Sequence, residues 1–149
     1  MEEKIESTDF LQRLNEEFNV ISHDYHQYSP LTLAFIGDGV YDLLVRTLLV
    51  EQANAPVKSL HKHASQIVCA KAQAALAQAI SDELTPEEHA IFKRGRNAKP
   101  SSTAKNAARM DYLNATGLET LFGFLYLSNR MDRAIHLLKL GFDRQETEL

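Results

Sequence analysis

Apolar residues recur along this chain at helical rather than strand spacing. Phe10, Leu11, Leu14 and Phe18 form a short amphipathic stripe, and Ser7-Thr8-Asp9 before them offers an N-cap. Residues 22–27 are polar and turn-like. Ser29-Pro30 reads as an N-cap followed by proline at the first helical position. The apolar helix it opens runs to about Val50, with a kink expected at its glycines, and Asn54-Ala55-Pro56 ends it. The next helix opens near Ser59 and continues through Gln66, Lys71 and Leu76 to about Ile80. Thr85-Pro86-Glu87-Glu88 is a helix start with acids in the first turn, where the helix dipole favours them, and that helix ends near Arg94-Gly95. A polar, basic loop covers residues 96–105. Two helices close the chain, Ala107 to Leu127, with Gly117 a candidate break, and Arg130 to Leu140; the tail RQETEL reads as frayed. No alternation of period two persists, so the expected fold class is all-α.

Composition narrows this picture. The 149 residues suit one domain with one core. The first 28 read as a peripheral extension and 29–149 as the functional unit. With 44% hydrophobic and 24% charged residues the chain is globular, and its net charge of −4 excludes a polycation. A single cysteine, Cys69, cannot form an internal disulfide; it fits a reducing compartment and reads as a small core residue. The acidic start MEEKIESTD is no secretory signal, and no apolar run reaches membrane-spanning length. A cytoplasmic protein without membrane association is the expectation.

Two solitary acids stand out. Asp38 lies between Gly37 and Gly39, and from Tyr25 to Tyr41 it is the only residue charged at neutral pH when His26 is neutral. Each glycine costs a helix about 0.8–1 kcal/mol relative to alanine, which implies close backbone approach there or an uncrowded carboxylate. Glu119 is likewise the only charge from Tyr112 to Asn129, with Gly123 one turn later on the same face. If the two helices cross, the acids meet, and paired carboxylates that cannot neutralise each other call for a hard cation such as Mg²⁺. Without a partner, each acid is simply the polar edge of its helix. Asp42, one turn after Asp38, reads as solvated or salt-bridged, with a place in the site as the alternative. His61, His63 and His89 show no ligand spacing.

The charge asymmetry is local. Between Glu88 and Asp111 there is no acid but six cations, Lys93, Arg94, Arg96, Lys99, Lys105 and Arg109. Gly95, Asn97, Ser101, Ser102, Thr103 and Asn106 add small hydrogen-bond donors. Such a loop is either a solvated surface or a grip for a polyanion. No aromatic is interleaved, so a duplex backbone suits it better than stacked single-stranded bases. Arg94, Arg96, Asn97, Lys99 and Lys105 are the candidates for gripping such a backbone.

These residues carry a resemblance. LAFIGDGVYDLLVR resembles the signature helix of the ribonuclease III catalytic domain, with Asp38 at the metal-binding aspartate. ATGLETLFGFLYL resembles its second acidic helix, with Glu119 at the metal-binding glutamate. FKRGRNAKPSSTAKNA resembles the loop of the short bacterial branch that lacks a double-stranded-RNA-binding domain. The larger enzymes carry further acids where this chain has Ala34 and Thr116, as that branch also lacks them. The resemblance, over about residues 29–140, implies an all-α, Mg²⁺-dependent endoribonuclease cutting double-stranded RNA. It also implies a homodimer, a 23S ribosomal RNA precursor as substrate, and a ribosomal protein that presents it. A non-catalytic helical RNA-binding module is the alternative, and a helical protein-interaction domain a third reading.

Overall fold

The computed structural model describes residues 10–21, 23–98 and 106–149. The expected cap at 7–9, together with Lys99 and Lys105, lies outside them. Seven α-helices follow in order among the described residues: α1 Phe10–Glu17, α2 Pro30–Gln52, α3 Val57–Val68, α4 Ala70–Ile80, α5 Pro86–Arg96, α6 Asn106–Leu127 and α7 Met131–Gln145. Short 3₁₀ turns lie at Tyr25–Gln27 and Ser81–Glu83, and no strand occurs among the described residues.

Helices α2 and α6 form the centre, because they are apolar on more than one side. Leu33, Val40, Tyr41, Val45 and Leu49 of α2 are buried with Leu118, Leu121, Phe122, Phe124 and Leu125 of α6. The Tyr41 and Phe122 rings meet edge to face at 5.5 Å. Both helices run unbroken through their glycines, so the break at Gly117 does not occur. Tertiary packing overrides the glycine propensity cost there.

The expected helix from Ser59 to Ile80 is instead two. Cys69 is extended, with ψ 162°, and α4 restarts after it. The reason is geometric. At 3.6 residues per turn, buried Ala64 and Ile67 would point largely away from buried Leu76, Ala77 and Ile80 on one straight helix. The bend lets both sets face the same core. It also leaves Cys69 exposed, against its expected core place.

Helix α5 begins with a full capping box between Thr85 and Glu88. Glu88 is buried and paired with Arg133 of α7 through two 2.8 Å bonds. Burial alone would raise the Glu88 carboxyl, but Arg133 and the Thr85 N–H hold it below its ordinary value. Helix α7 continues past Leu140 to Gln145, and the tail is not frayed throughout: His63 Nε2 lies 3.2 Å from the Glu148 carbonyl, and Leu149 packs on the core. By contrast α1 buries no residue. The chain rejoins the body at residues 24–28. There His26 bridges Asp24 and Glu87 at 2.9 and 2.7 Å, and both carboxylates raise its pKa, Asp24 first.

Candidate active site

The site begins with two glycines. A Cβ on Gly37 would overlap the Glu119 carbonyl oxygen, and a Cβ on Gly123 would overlap the Leu33 carbonyl oxygen. The backbones of α2 and α6 therefore touch, with no side chain between them. Asp38 follows one of these contact points, and Glu119 supplies the other partner of the same contact. The crossing thus brings the two sequence-predicted acids together, close enough for the Asp38 charge to act on the Glu119 carboxyl. Asp38 is exposed and Glu119 half-buried. Burial first, and the Asp38 charge second, push the Glu119 carboxyl up to about 7.

Gly39 differs from its neighbour. A Cβ there would meet nothing within 4 Å, so the helix carries this glycine without any contact within the chain that demands it. Behind the acids the wall is dry. Tyr41 is fully buried, and burial, with the nearby Cys69 and Glu119, raises its hydroxyl pKa.

The acids fit a hard cation. No described cation is among the groups that shift Glu119. Two neighbouring carboxyls, one with its proton affinity raised by the other's charge, are what a divalent ion relieves. The acid set stops at two: no group of three or more His, Cys, Asp and Glu converges among the described residues. Asp42 is engaged at 2.9 Å by Arg46. Thr116 is buried and donates its hydroxyl to the Tyr112 carbonyl, and Ala34 is buried.

One site residue escaped the sequence reading. Gln73 of α4 is 2% exposed, and the nearby amide opposes the rise of the Glu119 carboxyl. The signal lay in the pattern: a lone amide on the inner face of AKAQAALAQAI, whose other buried members are Ala74, Leu76, Ala77 and Ile80.

The start of the basic segment packs against the residue after Glu119. Gly95 sits so close to Thr120, the residue after Glu119, that a Cβ would overlap its hydroxyl. The sequence-predicted RNA contacts then divide. Arg94 is half-buried and donates to the carbonyls of His26 and Tyr28 at 3.0 and 2.8 Å, tying the N-terminal segment to α5. Arg96 lines an open cleft of about 310 Å³ with Gln78, Ser81, His89 and Asn114. Its Nε reaches Asn97 Oδ1 at 3.4 Å. Lys93 and Asn97 are exposed.

Comparison with known proteins agrees with this geometry. Residues 31–130 match the Ribonuclease III domain. A Mini-ribonuclease 3 of Clostridium tetani is 44% identical over 134 residues, covering 89% of this chain and 87% of that protein. A Mini-ribonuclease 3 of a Thermoanaerobacter species is 48% identical over 113 residues, covering 76% and 80%. The crystal structure of a Fusobacterium nucleatum protein superposes with a TM-score of 0.73 at 28% identity, over 83% of this chain and 99% of that one. With the family match spanning both acids and the relatives spanning most of the chain, the protein belongs to the ribonuclease III family of endoribonucleases, in its Mini-ribonuclease 3 branch.

Proposed function

We propose that this chain hydrolyses phosphodiester bonds of double-stranded RNA at Asp38 and Glu119, with Mg²⁺ as cofactor. The observation that supports this best is the convergence of two carboxyls on a backbone-to-backbone helix crossing. Asp38 and Glu119 would hold the ion, with water and RNA phosphate oxygens completing its shell. Bound there, a divalent cation supplies Lewis-acid stabilisation of the scissile phosphate and eases ionisation of the attacking water. The water oxygen bonds to phosphorus, the P–O3′ bond breaks, and a 5′-phosphate and a 3′-hydroxyl result. No side chain is the nucleophile. Residues 29–149 form the catalytic unit and 1–28 an extension.

The working form is a homodimer, each subunit cutting one strand. Within the segment Leu33 to Val45, several apolar side chains serve the protein's own core, but Phe35 is 81% and Leu43 62% exposed. With Gly39 between them they make an i, i+4, i+8 row on which a second helix can lie close. The basic segment, with Arg96, Asn97, Lys99 and Lys105, grips the duplex backbone. The substrate is the 23S ribosomal RNA precursor, met in the cytoplasm and presented by a ribosomal protein. No described helix is long and apolar enough to cross a membrane.

The test is a long RNA duplex incubated with Mg²⁺ or with chelator and read on a denaturing gel. Cleavage in Mg²⁺ that chelator and Asp38→Asn both abolish is expected. Duplex binding without cleavage would favour the non-catalytic module, for which the small acid set speaks.

A further inference from the structure

Helix α1 is well formed and yet buries nothing. The Phe18 N–H still donates to the Leu14 carbonyl, Asn19 then turns left-handed at φ 58°, and the Val20 N–H returns to the Asn15 carbonyl at 2.8 Å, a regular helix end. Phe10, Leu14 and Phe18 make an i, i+4, i+8 row along it, and all three are exposed, Phe10 by 68% and Phe18 by 69%. Its 8 residues fall short of the about 12–15 at which an isolated helix is even marginal in water. The row therefore calls for a surface to lie on.

The chain itself carries such a surface. Where α2 turns into α3, Leu49, Val50, Val57 and Leu60 line an apolar groove of about 190 Å³, with Arg46 and His61 as its polar members. An apolar cavity of about 150 Å³ already accepts benzene. Helix α3 has no acid and presents Lys58, His61 and Lys62 to solvent, whereas α1 ends in Glu16 and Glu17, so the charges are complementary. The groove also continues the exposed row of α2, since Phe35, Gly39 and Leu43 lead by helical spacing to Arg46 and Val50.

We propose that this groove receives helix α1 of a second copy of the chain, so that each subunit's N-terminal helix clasps the other. The inference rests on the homodimer reading given above and adds an exchanged contact to it. Symmetry brings the two surfaces together. A two-fold axis at Gly39 that sets the two α2 helices antiparallel places position 50 of one opposite position 28 of the other. Residues 24–28 are fastened to their own subunit, through His26 to Glu87 and through Arg94 to two carbonyls. Helix α1 therefore departs from beside the other subunit's groove. Its own groove is remote. His26 lies against Phe124, next to the Gly123 that touches Leu33, and so at the start of α2. From Pro30 to Leu49 the helix rises about 28 Å, while the chain from Phe18 to Asp24 spans at most about 20 Å.

The test uses the full chain with Cys69→Ser, which removes its one native thiol, and adds Leu14→Cys and Val57→Cys together. Both positions are exposed, so the fold tolerates the changes. Mild oxidation is expected to give a covalent dimer on a non-reducing denaturing gel, which neither single-cysteine chain gives. A cross-link within one monomer would show the helix folded back on its own groove and overturns the proposal. In parallel, Leu14→Asp and Val57→Asp should each raise the dimer dissociation constant by about 10-fold or more, from the loss of buried apolar side chains. Together they should do little more than either alone, because both break one contact. A wild-type chain that is monomeric at micromolar concentration defeats the homodimer reading and the inference with it. A wild-type dimer with no cross-link and unchanged dissociation constants defeats the inference alone.

Discussion

Asp38 offers its carboxylate to solvent, whereas Glu119 sits half-buried on the facing helix, and the difference has a pH signature. Glu119 keeps its proton to about pH 7 in the folded chain, against 4.5 for an ordinary glutamate. Between those values the native state binds more protons than the unfolded state, so stability of the metal-free protein falls as pH rises through the window and levels off above it. With part of the effect screened by solvent, the loss is on the order of 1 kcal/mol. Melting scans in chelator from pH 5 to 8 should show this slope in wild type and lose it in Glu119→Gln; equal slopes in both would remove the proposed cause. Both Asp38→Asn and Glu119→Gln should lower cleavage by at least about 100-fold with the fold retained. A second contrast separates two neighbouring arginines. Arg94→Ala breaks two bonds to backbone carbonyls and should cost about 1–3 kcal/mol of stability, while Arg96→Ala should leave melting unchanged and weaken duplex binding. Here the sequence was legible only in part. It displayed Asp38, Glu119 and the cations, because isolated charges in apolar runs are visible in one dimension. It could not show that Arg94 reaches carbonyls 66 and 68 residues away.

At the scale of elements, the two glycines beside Asp38 carry opposite expectations. Gly37→Ala and Gly123→Ala each drive a methyl group into a main-chain carbonyl that cannot step aside, and should cost about 1–3 kcal/mol or more. Gly39→Ala meets open space and should stabilise an isolated chain by up to about 1 kcal/mol. Chemical denaturation of the three variants checks the order; an alanine at 37 tolerated as well as one at 39 would contradict the close crossing. Helix existence was legible throughout, since apolar spacing and caps such as Thr85 are local. The break at Cys69 was not foreseen because no glycine or proline marks it. It follows from where Ala64 and Ile67 must point relative to Leu76 and Ile80, which is a property of the assembled core.

Over the whole molecule, an exposed Phe35–Gly39–Leu43 row and a basic segment are the surfaces assigned to the two proposed partners. Light scattering at micromolar concentration should give a dimer mass for wild type and a monomer for Phe35→Asp; a wild-type monomer with full activity would defeat the dimer. Alanine at Lys93, Arg96, Lys99 and Lys105 together, with Arg94 kept for its structural bonds, should flatten the salt dependence of duplex binding. The slope should drop by about 0.9 for each phosphate no longer neutralised, on the B-DNA value. Measured in the Asp38→Asn background, superimposable salt curves would reduce the segment to a solvated surface. The glycine crossing has one more consequence, for how the enzyme fails. Its acids hang on the most deeply packed pair of helices, not on a loop that can open by itself. Amide hydrogens around Gly37 and Gly123 should therefore exchange with solvent only through global unfolding, at the slowest rate in the chain. Heat should then remove the site and the fold in one cooperative step, with no warm, folded and inactive form in between.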